Sequence, residues 1–364
     1  MASVALTVAS CEPVFEEPGD CCEPRKVFDI QIHFDVSFGD AIHNAVRSAD
    51  DNVALRCTVY AYRNETTATG TSRTTSRVGE APDEIFTLTL PNYTDDSTLD
   101  LSLPSGNWSL LLWADYYRID EGFEYYDVSD FSEIRLNEEF GHRGCDDYRD
   151  AFRGYAEVEI DAYNEAPVED ITINMERPMA KFTVITTDLD EFTAKVVNST
   201  QKVVSQSPES AAQSSDNASE SSESSSESSE SSEQASEKSS VNLDEYTIRF
   251  YYSGFMPNAF NMFNDKPSDA ATGVWFDGKV KKLSGSEAEI GFDYVFTNGT
   301  ESTLTIAVAV YDINGQCISV TSPYEVKVKR NQETHVRGKF MTAFGSGGTR
   351  IDPSFQGEYN LYYP

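Results

Sequence analysis

Residues 27–38 read VFDIQIHFDVSF, a run in which apolar and polar side chains alternate with period two. Successive side chains of an extended chain point to opposite faces, so this run suits a half-buried β-strand and offers no apolar stripe to a helix. The pattern returns at 53–62, 84–90, 108–117, 132–136, 155–160 and 170–175, between turn-rich stretches such as Pro104-Ser105-Gly106-Asn107. About seven short strands spaced in this way predict a β-sandwich. A second series opens at 181–186 and continues at 246–252, 291–296, 303–312, 316–321, 324–329 and 333–342. Within it LTIAVAVYDINGQCISVTS predicts a hairpin, with Asn314 and Gly315 supplying the positive φ values of a tight turn. Arg177-Pro178 falls between the two series, and proline cannot donate to a central ladder, which places a domain boundary there. A chain of 364 residues also exceeds the size at which one core stops growing. The expected fold is all-β, with one sandwich over 27–176 and a second over 177–364.

Between 205 and 240 the chain is almost entirely Ser, Glu, Gln and Ala, including SESSESSSESSESSE. Such a tract cannot bury a core and is expected to be a disordered insertion in the second domain. Its flanks, 182–197 and 241–250, read as strand-like. Asp and Glu total 61 against 28 Lys and Arg, a formal charge of -33 that repels nucleic acid and anionic lipid headgroups. No interior segment stays apolar for the roughly 18 residues of a membrane-spanning helix.

The 6 cysteines are scattered without a zinc-like spacing or a disulfide framework, and Cys57 and Cys317 fall in strand-like runs that predict buried free thiols. Residues 1–10 (MASVALTVAS) are apolar and small, and stop at Cys11, after which Glu12, Pro13, Glu16, Glu17, Pro18 and Asp20 dominate. That is the tail of a signal peptide, lacking a basic leading region, so a start further upstream is expected. Val8-Ala9-Ser10-Cys11 resembles a bacterial lipobox, in which cleavage falls just before a lipidated cysteine. On that likeness Cys11 is the lipid-bearing mature N-terminus and 11–26 a linker. The acidic residues after it resemble the surface-export signal of Bacteroidetes lipoproteins, implying the outer face of the outer membrane.

Signs of catalysis are sparse. His33, His43, His142 and His335 form neither HxxxH nor HExxH, and GxSxG, the P-loop and a strand-following GxGxxG are absent. Pairs such as Asp95/Asp96, Asp146/Asp147 and Asp188/Asp190 match no calcium loop and are expected by chance in so acidic a chain. No enzyme, cofactor or metal is expected. Crowded aromatics raise another possibility: Trp113, Tyr116, Tyr117, Tyr125 and Tyr126, beside Trp108, either stack on sugar rings or pack a core.

The stretch PSGNWSLLLWADYYRIDEGFEYYDVSDFSEIRL, followed by DYRDAFRG, resembles the first domain of the DUF6562 family of Bacteroidetes lipoproteins, relatives of fimbrillin-type pilus proteins. MERPMAKFTVI and RNQETHVRGKFMTAFGSGGTRIDPSFQGEYNLYY are similar to that family's domain junction and C-terminal end. The resemblance spans nearly all of the chain after Cys22, apart from the Ser/Glu insertion. It implies two tandem transthyretin-like β-sandwiches on a lipid anchor. Related fimbrillins are cut by an arginine-specific protease after their first strand and polymerise by accepting a neighbour's strand, which here singles out Arg47 in HNAVRSADDN, with Arg56, Arg63 and Arg73 nearby. Segment 358–363 is then a donor strand or a plain edge strand. The function implied is a cell-surface structural or adhesive subunit assembling by strand exchange with other pilus subunits. The alternative is a glycan-binding surface lipoprotein of a polysaccharide-uptake system.

Overall fold

The computed structural model describes residues 27–36, 52–67, 73–90, 98–139, 141–161, 171–204 and 241–343. Cys11, Arg47, the Ser/Glu tract and the 358–363 segment lie outside them.

The alternating runs of the first half become strands Val27–Val36, Val53–Arg63, Glu84–Leu90, Gly106–Arg118, Ala151–Ile160 and Ile171–Met175. A further strand, Thr98–Pro104, forms from TLDLSLP, which has the same alternation within a turn-rich region. Ala151–Ile160, Gly106–Arg118, Val53–Arg63 and Glu84–Leu90 lie side by side in one antiparallel sheet. Ile171–Met175, Val27–Val36 and Thr98–Pro104 make the sheet packed against it.

The second half repeats this plan. Its first strand, Met179–Thr186, lies between Ala288–Phe296 (antiparallel) and Glu333–Gly338 (parallel), as Val27–Val36 lies between Thr98–Pro104 and Ile171–Met175. The opposite sheet orders Tyr324–Lys329, Glu301–Tyr311, Thr247–Tyr252 and Trp275–Asp277, with Cys317–Val320 also on Glu301–Tyr311. In each half the first strand therefore runs parallel to the last, and the chain is two copies of one β-sandwich topology.

Ile134–Leu136 departs from the expectation of a first-sandwich strand. It pairs with Tyr126–Asp127 on one side and with Met256–Asn261 of the second half on the other, and Lys266–Ala271 completes this bridging sheet. The larger sheet of the first sandwich is thus covered on both faces. That is why Val53–Arg63 and Gly106–Arg118 are buried along their interiors and do not alternate in exposure.

Three local expectations are corrected. Residues 182–197 do not continue as a strand: after Thr186 the chain forms the helix Leu189–Val204. Leu189, Phe192 and Val196 recur at helical spacing, with Leu189 and Phe192 buried, and Asp190 and Glu191 favour the positive end of the helix dipole. The hairpin at 312–316 takes positive φ at Gly315 alone. Gly315 N–H bonds the Asp312 carbonyl at 2.9 Å, and the Asp312 carboxylate accepts from the amides of Asn314 (2.9 Å) and Gln316 (2.8 Å), making a type I turn closed by a left-handed glycine. Cys317 is exposed at the start of its strand, whereas Cys57 is buried as expected.

Candidate functional site

Val27–Val36 is the middle strand of its sheet. Its register sets Phe28 opposite Leu103 and Ile30 opposite Leu101 on the antiparallel side, and Phe34 opposite Ile173 and Val36 opposite Met175 on the parallel side. Among the described residues its two neighbours pair with it and not with each other. One strand therefore carries the whole ladder, and its departure would open two rows of backbone donors and acceptors at once.

The walls of this slot are fixed without the strand that fills it. Trp108 donates its indole N–H to the Pro104 carbonyl at 2.8 Å, tying one wall to the larger sheet. Arg153 and Glu176 exchange backbone bonds of 2.9 Å in both directions, tying the other. A Cβ at Gly154 would strike Met175 and Ile173, so the bare glycine is what lets that wall press on the larger sheet. Leu101, Leu103, Ile173 and Met175, the register partners named above, are all at most 3% exposed. Without that strand the slot would combine open ladder positions with buried apolar residues at alternate places along its walls, which is the chemistry that accepts an extended strand. The equivalent strand of the second sandwich, Met179–Thr186, follows Met175 after only Glu176-Arg177-Pro178 and leads into the helix, so it is tethered at both ends.

A second constellation joins the two sandwiches. Asp293, 1% exposed, receives the Tyr252 hydroxyl at 2.6 Å, lies 2.6 Å from His142 Nε2 and is paired with buried Arg149. Burial alone would push its carboxyl up, but the Arg149 charge, then His142 and the Tyr252 hydrogen bond, hold it below the ordinary value. Glu138 flanks the other side of the His142 ring at 3.5 Å. Nearby, Arg177 grips buried Asp150 through Nε at 2.9 and 2.8 Å and reaches Asn331 at 3.1 Å. A Cβ at Gly144 would collide with the Phe276 ring, so the 141–145 segment seats against the second sandwich only because that position is glycine.

Of the aromatics singled out in the sequence, Trp113 and Tyr126 belong to this seam. Trp113 is 0%, Tyr126 1%, Tyr125 2% and Tyr116 6% exposed, and Tyr117 is partly buried. Trp113 meets Tyr126 edge-on at 5.5 Å, and both reach Phe296 of the second sandwich. Tyr126 donates to the Arg149 carbonyl, and Tyr125 donates to Asp146 at 2.8 Å. Trp113, Tyr116, Tyr125 and Tyr126 are thus enclosed in the protein. Sequence reading missed Asp293, Arg149 and Arg177 because their partners are remote in the chain and no local motif marks them.

Among the described residues no group of three or more His, Cys, Asp or Glu is arranged to hold a metal ion. Burial keeps the Cys57 thiol protonated and pushes Cys145 up to about 11. No helix of the described residues is long and apolar enough to cross a membrane.

The family of unknown function DUF6562 matches residues 24–363. The chain belongs to that family. This DUF6562 member is also similar to several solved structures. One is the fimbrial anchor protein Mfa2 from Porphyromonas gingivalis, at 12% identity over 86% of this chain and 91% of that one, with a TM-score of 0.34. Another is a fimbrial assembly protein from Parabacteroides distasonis, at 9% identity over 86% and 92%, with a TM-score of 0.35. A third is a candidate polysaccharide-binding protein (DUF1812) from Bacteroides thetaiotaomicron, at 10% identity over 85% and 90%, with a TM-score of 0.40. No curated protein matches the DUF6562 chain by sequence.

Proposed function

We propose that this protein is a non-enzymatic, fimbrillin-like subunit of the cell surface, carried to the outer membrane by a lipid on Cys11 of its uncleaved form, that once cleaved assembles with other pilus subunits by accepting a β-strand into the slot of its first sandwich. The observation that carries the reading is the position of Val27–Val36, which among the described residues is the strand that pairs with both walls, each of them fixed to the larger sheet without it. Cleavage after Arg47 would free this strand. The incoming strand would run antiparallel to Thr98–Pro104 and parallel to Ile171–Met175, with apolar side chains at the positions facing Leu103, Leu101, Ile173 and Met175. Enclosure of the Trp113, Tyr116, Tyr125 and Tyr126 rings supports this reading over a glycan platform at those residues.

The test is made on cells producing the full-length protein. N-terminal sequencing of the surface form is expected to begin after Arg47, and unheated samples to show a ladder of high-mass species in gels. R47A is expected to retain Val27–Val36 and to lose the ladder. A ladder that persists in R47A with strand one still attached would refute strand exchange. Mass spectrometry of the uncleaved variant checks the anchor, because an unmodified Cys11 peptide would remove the lipid from the proposal.

A further inference from the structure

The three tryptophans divide sharply: Trp108 and Trp113 are at most 2% exposed, whereas Trp275 is 46% exposed. The reason lies in the alternation of Thr247–Tyr252, which turns Ile248, Phe250 and Tyr252 into the second sandwich and leaves Arg249 and Tyr251 on its outer face. Cross-strand register puts Trp275 opposite Tyr251 and Asp277 opposite Arg249 on that same face. On the other neighbour, small Ala307 and Ala309 stand opposite Tyr251 and Arg249, leaving room for larger side chains to lean together. Tyr251 and Tyr311 do so, with hydroxyls 2.7 Å apart.

These side chains are held in place. Arg249 lies over the Trp275 ring at 3.9 Å and is gripped by Asp277 through two bonds of 2.6 and 3.0 Å. The guanidinium backs the indole and fixes its tilt, and the carboxylate fixes the guanidinium. An exposed aromatic ring of fixed orientation, bordered by hydroxyls and a closed ion pair, has little freedom left to lose on binding.

We propose that this outer face is a carbohydrate-binding platform for a neutral glycan. The C–H face of a pyranose stacks on the surface of Trp275 that Arg249 leaves open, with the Arg249–Asp277 pair behind the ring holding it in place. Charge selects the ligand class. The local cation is neutralised by its own carboxylate, and the chain carries a net charge of -33, so a polyanionic glycan is repelled while an uncharged one is not. The platform lies on the second sandwich and the strand slot on the first, so the two proposals stand or fall separately.

Native electrophoresis of the full chain through gels containing yeast mannan, galactomannan, starch or xylan tests it, with hyaluronan as the anionic counterpart. The wild type is expected to be retarded by at least one neutral polysaccharide and not by hyaluronan. W275A is expected to weaken retention by about tenfold or more, and W275F to keep part of it. Thermal unfolding of W275A should match the wild type, since the ring is exposed. Passage of the wild type unretarded through every neutral gel overturns the proposal, as does retention that W275A leaves intact. Self-association abolished by W275A without glycan retention would make the face a contact between copies and overturn it equally.

Discussion

Asp293 shows what a single residue contributes to joining the sandwiches. Its carboxylate is enclosed by Arg149, His142 and Tyr252, so taking away its charge leaves the buried Arg149 guanidinium without a counterion. Breaking a buried pair in this way costs about 3–5 kcal/mol, far more than an exposed pair contributes. D293N, which preserves shape, is therefore expected to lower the urea midpoint by an amount equivalent to about 3 kcal/mol. The pH dependence follows from the direction of the shift. Asp293 titrates below its ordinary 3.8 in the folded chain, so as pH falls the unfolded chain takes up this proton first. The stability it contributes is complete above that value and lost as pH drops through the folded one. D293N should thus lose less stability on acidification than the wild type, and identical acid limbs would remove Asp293 from this role.

Among the elements, the helix Leu189–Val204 and the chain that follows the last strand share one residue. Buried Asp188 precedes the helix; its backbone carbonyl accepts from Phe192 at 2.9 Å. Its carboxylate accepts from Thr186 Oγ1, from the amides of Met341 (3.3 Å) and Thr342 (2.8 Å), and from Thr342 Oγ1 (2.6 Å). D188A would orphan these donors, and about 2–3 kcal/mol of destabilisation is expected. Hydrogen exchange is the discriminating measurement: the Met341 and Thr342 amides should accelerate in D188A well beyond the Val308 amide, and uniform acceleration would argue against a local clasp. Strands were legible in the sequence wherever one face met solvent or the pattern of two survived, as at Glu84–Leu90 and Tyr324–Lys329. The helix was not, because Val196, Val197, Val203 and Val204 lend a strand-like composition to a segment whose apolar residues recur at helical spacing. Lys266–Ala271 (KPSDAA) was illegible for another reason: it is an edge strand with little apolar content, and its existence depends on pairing with Met256–Asn261.

At the scale of the molecule, the two sandwiches are joined by more than a linker. The bridging sheet runs from Tyr126–Asp127 and Ile134–Leu136 into Met256–Asn261, and one apolar cluster runs through both halves, with Trp113, Tyr126, Phe260 and Phe296 at its centre. Polar ties surround it: Arg330 holds Asp265 at 2.7 and 2.8 Å, Arg153 reaches the same carboxylate at 3.1 Å, and Lys181 meets Asp147 at 2.8 Å. Little of this could be read along the sequence, where each sandwich looks self-contained, because the pairs that cross the seam, Arg153 with Asp265 and Lys181 with Asp147, come from opposite sides of Pro178. A tandem of independent sandwiches would unfold in two steps, but units sharing a core and a sheet have no separate native state to populate. Calorimetry of the full chain is expected to give one transition, with calorimetric and van't Hoff enthalpies in agreement. Gly144 supplies the perturbation, since any side chain there meets the Phe276 ring and lifts the 141–145 segment from its seat, loosening the hold of His142 and Arg149 on Asp293. G144V should therefore broaden or split the transition. Two resolved steps in the wild type would show that the seam is too weak to make the pair one cooperative body, and that load on one sandwich is not borne by the other.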